Sequence, residues 1–299
     1  MSSRMLNMLM LRFKVKNMKF AIVFCRSQGR VRTVVSAAIL ILSLSLLSAC
    51  SNVNGDGIIV AGSTSVQPYA EVLAEEFMIL HPGAMIDIQG GGSSAGIMAA
   101  QSGTSNLGMS SRVLKDEEKS LWYVEIARDG LAVIINPANP IVNLTLDQIS
   151  DIYSAKTSDW SQLGGTKAKI HIITREDGSG TRDAFVTLVM GEADITPRAI
   201  VQDSNGAVRQ LVADDPNAVG FISLGLVDET VKALQLGGVE ATRENVMNGS
   251  YDLSRPFLFV AQAEPTGQTK EFLDFVLSAQ GQQILINEGL ISPSEGTGK

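Results

Sequence analysis

The sequence predicts an α/β protein. Three observations carry this: short β-branched runs recur along the chain, segments of helical periodicity separate them, and Gly/Ser/Thr loops join strand ends to helix starts. Ile58-Ile59-Val60 reads as a buried strand. Val66, Tyr69, Ala70, Leu73, Phe77 and Leu80 recur at three- and four-residue intervals, which predicts an amphipathic helix with Pro68 in its first turn and a stop at His81-Pro82-Gly83. A second strand follows at 85–89, a short helix at 97–101 and a third strand at 106–110. Residues 131–136 form a strongly apolar strand ending at Pro137, and a Thr145…Gln148 capping box opens a helix through Tyr153. Further on come a strand at 169–174, a helix at 181–190, strands at 219–222 and 255–260, and one or two closing helices within 266–287. Strands separated by helices predict parallel pairing, both sheet faces covered, and ligands at the carboxyl ends of the strands.

Composition narrows the function. With 299 residues, 45% hydrophobic, the chain can bury a sizeable core. Its net charge of −7 hides an asymmetry: eight of the 24 Lys and Arg precede residue 50, where no Asp or Glu occurs, so the remainder carries 16 basic against 31 acidic side chains, a net −15. A body of that sign is repelled by nucleic acid, which is bound chiefly through basic neutralisation of phosphates. Two Cys exclude a disulfide framework and a Cys-ligated zinc fold, and two His without HExxH leave little for a transition metal. No metal or cofactor is expected.

The basic leader runs into an uncharged apolar stretch at 34–47, fourteen residues, too short to span a hydrocarbon core that needs about 20. It reads as the apolar region of a signal peptide. Leu47-Ser48-Ala49-Cys50 follows at once and resembles the lipobox of bacterial lipoproteins, in which cleavage before the Cys leaves it as the lipidated first residue. Residues 1–49 are then the signal, Cys50 the anchor and 50–56 a polar tether. Cys25 leaves with the signal, so no intramolecular disulfide remains.

The informative residues of the body are small. Four strands lead into Gly/Ser/Thr loops: Gly62-Ser63-Thr64-Ser65, Gly90-Gly91-Gly92-Ser93-Ser94, Gly108-Met109-Ser110-Ser111-Arg112, and Asp177-Gly178-Ser179-Gly180-Thr181 with Arg175 just ahead of it. Glycine lets the backbone approach a bound group, hydroxyls both donate and accept, and the free N–H groups of a helix N-terminus favour an anion. Any one such loop is ordinarily just a turn and a cap. Four at strand ends, one beside an Arg whose fork matches an oxyanion, point to convergence on a tetrahedral anion. Competing motifs fail on spacing: Gly178-Ser179-Gly180 is not GxSxG, Gly90, Gly92 and Gly96 miss GxGxxG by one residue, and GxxxxGK[ST] is absent. His171, between Ile170 and Ile172, reads as a strand residue and His81 as a helix-end residue.

In the order AGSTSVQPYAE, GGGSSAG, GMSSR, DGLAVIINPANP, REDGSGTRDAF, NAVGFISLG and SRPFLFV, the chain resembles the phosphate-binding component of bacterial high-affinity phosphate ABC transporters, across most of 57–290. That resemblance implies a two-lobed periplasmic-binding-protein (type II) fold with a hinge, closing on a dehydrated phosphate, and no enzymatic activity. Carried over residue by residue, it implies phosphate ligation by Thr64, Ser65, Ser93, Ser111, Arg175, Ser179, Gly180 and Thr181. Asp177, Ser94 and Arg112 would support them, Asp177 as the acid that pairs with Arg175. Where some members of the family carry Asp, this chain has Ser111, which can accept a hydrogen bond from a protonated ligand oxygen but brings no negative charge, and so weakens rejection of sulfate. The implied lobes are 57–132 plus 256–299 and 133–255; the implied partners are inorganic phosphate, a permease pair with a cytoplasmic ATPase, and the cell membrane through the lipid. Rival readings are a carrier of sulfate, molybdate or arsenate, a secreted phosphoryl hydrolase using Ser179 or Thr181, and a sensor or adhesin on the same scaffold.

Overall fold

The computed structural model describes residues 57–295. The signal peptide, Cys50 and the tether lie outside the described residues. In chain order the elements are β1 (Ile58–Gly62), α1 (Gln67–Leu80), β2 (Ile86–Gly90), α2 (Ser93–Ser102), β3 (Leu107–Ser110), β4 (Trp122–Ile135), β5 (Asn143–Leu144), α3 (Leu146–Tyr153), β6 (His171–Arg175) and α4 (Gly180–Phe185). A π-helical turn (Val186–Met190) continues α4; then come β7 (Ile200–Gln202), α5 (Asn205–Asp214), β8 (Ala218–Ser223), β9 (Lys232–Ala233), β10 (Gln235–Leu236), α6 (Arg243–Met247), β11 (Ser254–Ala261), α7 (Gly267–Leu277) and α8 (Ala279–Asn287).

The strands form one nine-stranded sheet in the order β2-β1-β3-β11-β4-β8-β6-β7, with β9 also on β4, and a small β10-β5 pair. The flanks are parallel as expected: β1 with β2 and β3, β6 with β7 and β8. The centre is not. β11 runs antiparallel to β3 and β4, and β4 antiparallel to β8. The reason is β4, at 14 residues far longer than the strand expected at 131–136. Its first part pairs with β11 up to Gly130–Ser254, and its last residues, from Leu131, pair with β8. β4 therefore leaves one half of the molecule for the other, and β11 returns beside it in the opposite sense.

Each half buries its own apolar side chains. The first half gathers Val60, Leu73, Phe77, Leu107, Met109, Phe257, Phe259, Phe272 and Leu285, with a smaller cluster around Ile97 and Val260; the second gathers Leu131, Val133, Ile149, Tyr153, Trp160, Phe185, Val219 and Phe221 in one cluster and Ala132, Ile134, Val208, Val212 and Ile222 in another. Helix α1 buries Tyr69, Ala70, Leu73 and Phe77, four of the residues whose spacing predicted it. His81 ends it, stacked on the Phe77 ring, and the Thr145–Gln148 capping box forms as read. The helix expected at 181–190 divides into α4 and the π turn, and the closing region is two helices joined at Ser278. Unforeseen are β5, β7, β9, β10, α5 and α6. Among the described residues no helix is long and apolar enough to cross a membrane.

Candidate functional site

The four loops owe their shape to close backbone approaches. Gly62 ends β1 at φ +138°, and a Cβ there would overlap the carbonyl of Met109 in the neighbouring β3. Gly96 of α2 faces the Ala61 carbonyl and the Gly62 Cα with the same lack of room, so α2 rests directly on β1. Gly92 at φ +86° lets the chain turn from β2 into α2, and its N–H donates to Gly62 O at 2.9 Å. On the second half, Ser179 caps α4, its Oγ accepting from Arg182 N. Helix starts and strand ends from both halves are thereby aimed at one place.

The hydroxyls meet there. Ser63 Oγ donates to Ser111 Oγ at 2.8 Å, and Ser93 Oγ, 3.4 Å from Ser111 Oγ, accepts from Ser111 N at 3.0 Å. Across the halves, Ser65 Oγ lies 2.8 Å from Thr181 Oγ1. A Cβ on Gly180 would overlap Ser93 Oγ and crowd Ser111 Oγ, so the α4 N-terminus sits against the first half's serines with only a hydrogen between them. Ser65, Ser93, Ser111, Ser179, Gly180 and Thr181 are all buried, and Ser94 N donates to Gly178 O at 3.0 Å.

Arg175 closes the group. It is 2% exposed, and its Nη2 donates to Thr64 Oγ1 at 3.2 Å, which brings Thr64 in as well. Its Nε and Nη2 both donate to Glu176 at 2.9 Å, with further bonds to the carbonyls of Gln202 and Asp203. Its Nη1 is buried with no hydrogen-bond partner among the described residues. All eight expected ligand residues are thus brought together.

One supporting role is corrected. Asp177, expected to pair with Arg175, points outward with its side chain 93% exposed and pairs with Arg182 instead. The carboxylate on Arg175 is its direct neighbour Glu176. The strand ends at Arg175, so its period-two alternation stops there: Glu176 N donates to Gln202 O as the chain turns, and the Glu176 carboxylate rather than that of Asp177 comes to lie against the guanidinium. Arg112 and Ser94 touch each other beside these loops: Arg112 Nη2 donates to Ser94 Oγ at 3.3 Å, its fork grips Glu118 at 2.7 and 2.8 Å, and its Nε is 2.9 Å from Asp183 in the other half.

Four further groups belong to the constellation. Ser63, in the loop after β1, donates to Ser111 Oγ and accepts from Ser65 N. Asn205, at the start of α5, donates through Nδ2 to Ser65 Oγ and Thr64 Oγ1. Arg255 of β11 and Asp129 of β4 form a fully buried ion pair, Nη2 to Oδ2 at 2.9 Å, and Arg255 also reaches Ser65. Burial pushes the Asp129 carboxyl up and the Arg255 guanidinium down from their ordinary values, each opposed by the other's charge. Arg255 carried a legible signal, as the one charged residue of an otherwise apolar strand (SRPFLFVA), whereas Asp129 shares β4 with Glu125 and Arg128 and did not stand out. Asn205 carried no local signal beyond the Ser204 cap preceding it.

The arrangement offers hydroxyl protons, helix N-terminal amides and a buried guanidinium arm around one point, with each buried positive charge matched by a carboxylate. Chemically it suits a small oxyanion held by hydrogen bonds. Among the described residues no cluster of three or more His, Cys, Asp or Glu could hold a metal ion. His171 lies apart, its Nδ1 2.6 Å from Asp215.

A family model described as a PBP superfamily domain matches residues 48–280. A phosphate-binding protein PstS of Bacillus subtilis (strain 168) is 32% identical over 234 residues, 77% of this chain and 78% of that one. Among solved structures, a phosphate ABC transporter substrate-binding protein from Clostridium perfringens with bound phosphate is 47% identical, with a TM-score of 0.77, covering 79% of this chain and 99% of its own. An ABC-type phosphate transport receptor from Vibrio cholerae is 40% identical, with a TM-score of 0.67, covering 79% and 100%.

Proposed function

The chain belongs to the PBP superfamily and, within it, to the phosphate-binding PstS proteins, and from that premise we propose that it captures inorganic phosphate between its two lobes and hands it to an ABC permease driven by a cytoplasmic ATPase. The observation that carries the reading is the convergence of Thr64, Ser65, Ser93, Ser111, Ser179, Gly180 and Thr181 on Arg175, whose buried Nη1 has no protein partner among the described residues. These eight residues are the proposed ligand set. Micromolar capture corresponds to about −8 kcal/mol, while a hydrogen bond to a charged group contributes about 1.5 to 3 kcal/mol net. Eight or more such bonds exceed that figure, and the excess offsets dehydration of the anion and ordering of the lobes.

The lobes are proposed as 57–132 plus 256–299 and 133–255, with β4 and β11 crossing between them. The division is supported by the hand-over of β4 from β11 to β8 at Gly130–Leu131 and by the separate apolar clusters of the two halves. Closure is then a hinge motion about two adjacent strands. Cys50 is the proposed lipid attachment, which holds the binding protein at the outer face of the cell membrane. Mass spectrometry of protein extracted from its native membrane would give a diacylglyceryl-bearing N-terminal Cys50; an unmodified chain beginning elsewhere would overturn the anchor.

A second reading, another tetrahedral oxyanion, is favoured by one observation: Ser111 brings no charge to the cluster. Titration calorimetry with phosphate and sulfate between acid and mildly alkaline pH decides between them. Tighter phosphate binding is expected throughout, and tighter sulfate binding would overturn the assignment.

A further inference from the structure

Asp129 and Arg255 face each other in register across the antiparallel β4–β11 pair, where the chain crosses between the lobes. Both side chains are about 2% exposed or less. A buried ion pair is a poor way to stabilise a fold, because desolvation of both charges consumes most of their attraction and an apolar pair of similar volume does as well. This pair has another use. Asp129 receives Arg255 on Oδ2, and its Oδ1 accepts from Ser223 Oγ at 2.8 Å. Arg255 Nη2 also donates to Ser65 Oγ at 3.1 Å, so the pair ends on a proposed ligand residue.

A second donor reaches the same oxygen. Ser223 N donates to Asn205 Oδ1 at 3.3 Å, which sets the orientation of the Asn205 amide by giving its oxygen a donor. The Nδ2 then faces Ser65 Oγ at 2.9 Å. A hydroxyl oxygen has two lone pairs and one proton. With Arg255 and Asn205 filling both lone pairs, Ser65 has only its proton left to offer, and its remaining neighbour is Thr181 Oγ1 at 2.8 Å, across the lobe boundary.

We infer that Arg255, together with Asn205, fixes Ser65 as an obligatory hydrogen-bond donor toward the ligand, making Arg255 a positioning residue for phosphate that acts from the hinge strand. This rests on the phosphate reading above. A bare phosphate oxygen accepts from Ser65, whereas a protonated or alkylated oxygen turned toward it meets a donor it cannot satisfy. The same bonds link β4, β8, β11, α5 and the loop after β1, so the orientation of one hydroxyl is set jointly by both crossing strands and both lobes.

The test is a double-variant cycle read by phosphate calorimetry, with thermal melts in the absence of phosphate as a control on folding. Arg255→Lys keeps the charge but cannot hold Asp129 and Ser65 together; it is expected to weaken phosphate binding about 10- to 50-fold. Ser65→Ala is expected to weaken it by a similar factor. The double variant should lose no more than Ser65→Ala alone, since the arginine acts through that hydroxyl. A merely structural arginine would multiply its loss onto that of Ser65→Ala, and either that product or wild-type affinity in Arg255→Lys overturns the inference. Should Arg255→Lys fail to fold, neutron diffraction from the wild-type phosphate complex answers the same question. The Ser65 deuteron is expected on the line to a phosphate oxygen, and a deuteron on the ligand pointing at Ser65 overturns the proposal. A wild-type protein giving no heat with phosphate would instead remove the proposed function itself, an outcome distinct from any in the cycle.

Discussion

Replacing Arg175 by Ala should weaken phosphate binding by roughly 2 to 4 kcal/mol, and the structure says where that figure comes from. Of the guanidinium nitrogens, Nε and Nη2 are taken up by Glu176, Thr64 and the carbonyls of Gln202 and Asp203. Nη1 alone is buried without a partner, so the ligand gains one or two charge-assisted bonds from it, each contributing about 1.5 to 3 kcal/mol. Truncation removes these and leaves Glu176 facing the anion without its counter-ion, while water entering the vacated volume restores part of the loss. The net figure corresponds to an increase in Kd of about 30- to 1,000-fold. Isothermal titration calorimetry measures it, and a melt without phosphate checks that the variant folds. Arg175→Lys, a point charge without the fork, should recover only part of the affinity. A folded Arg175→Ala variant that binds phosphate within threefold of wild type would show that the ligand does not sit on Nη1.

Gly180→Ala should weaken phosphate binding about 10- to 100-fold, because the added methyl overlaps Ser93 Oγ and crowds Ser111 Oγ across the lobe boundary, a strain of about 1 to 3 kcal/mol that falls on the closed form; calorimetry measures the affinity, and small-angle scattering should show a more open molecule at saturating phosphate. Glu118→Gln should cost about 1 to 2 kcal/mol of stability at neutral pH, measured by urea unfolding, because Glu118 receives both arms of the Arg112 fork and the Lys115 amide. The pH dependence has a definite sign. The Arg112 hydrogen bonds hold the Glu118 carboxyl below its ordinary value, so its stabilisation is fully present above about pH 4.3, the unfolded value, and is lost as the pH falls through the lower folded value; the gap between wild type and Glu118→Gln should close there, and a gap that widened in acid would contradict this account.

Most of the elements could be read locally, because their causes are local. The α1 periodicity, the Thr145–Gln148 capping box and the β-branched runs of β1 and β8 each depend on residues within a few positions of one another. Elements whose causes are remote were missed. β7 exists because β6 offers it an edge, and α5 shows only weak apolar spacing around Val208 and Val212. The antiparallel centre of the sheet was likewise hidden: nothing in the residues of 122–130 says that a strand there will cross from one core to the other.

By itself the sequence determined the α/β class, the four loops at strand ends and the chemistry they bring, since glycine freedom, hydroxyl donors and one adjacent Arg are properties of neighbouring residues. Only the tertiary structure decided which groups share a site. It turned Asp177 outward and Glu176 inward, brought Asn205 to Ser65 from 140 positions away, and set Arg255 against Asp129 at a separation of 126. Side-chain direction at the end of a strand depends on one turn of backbone, and pairing between distant strands depends on register. Neither is encoded in the spacing of residues along the chain, so the donors could be named in advance and their partners could not.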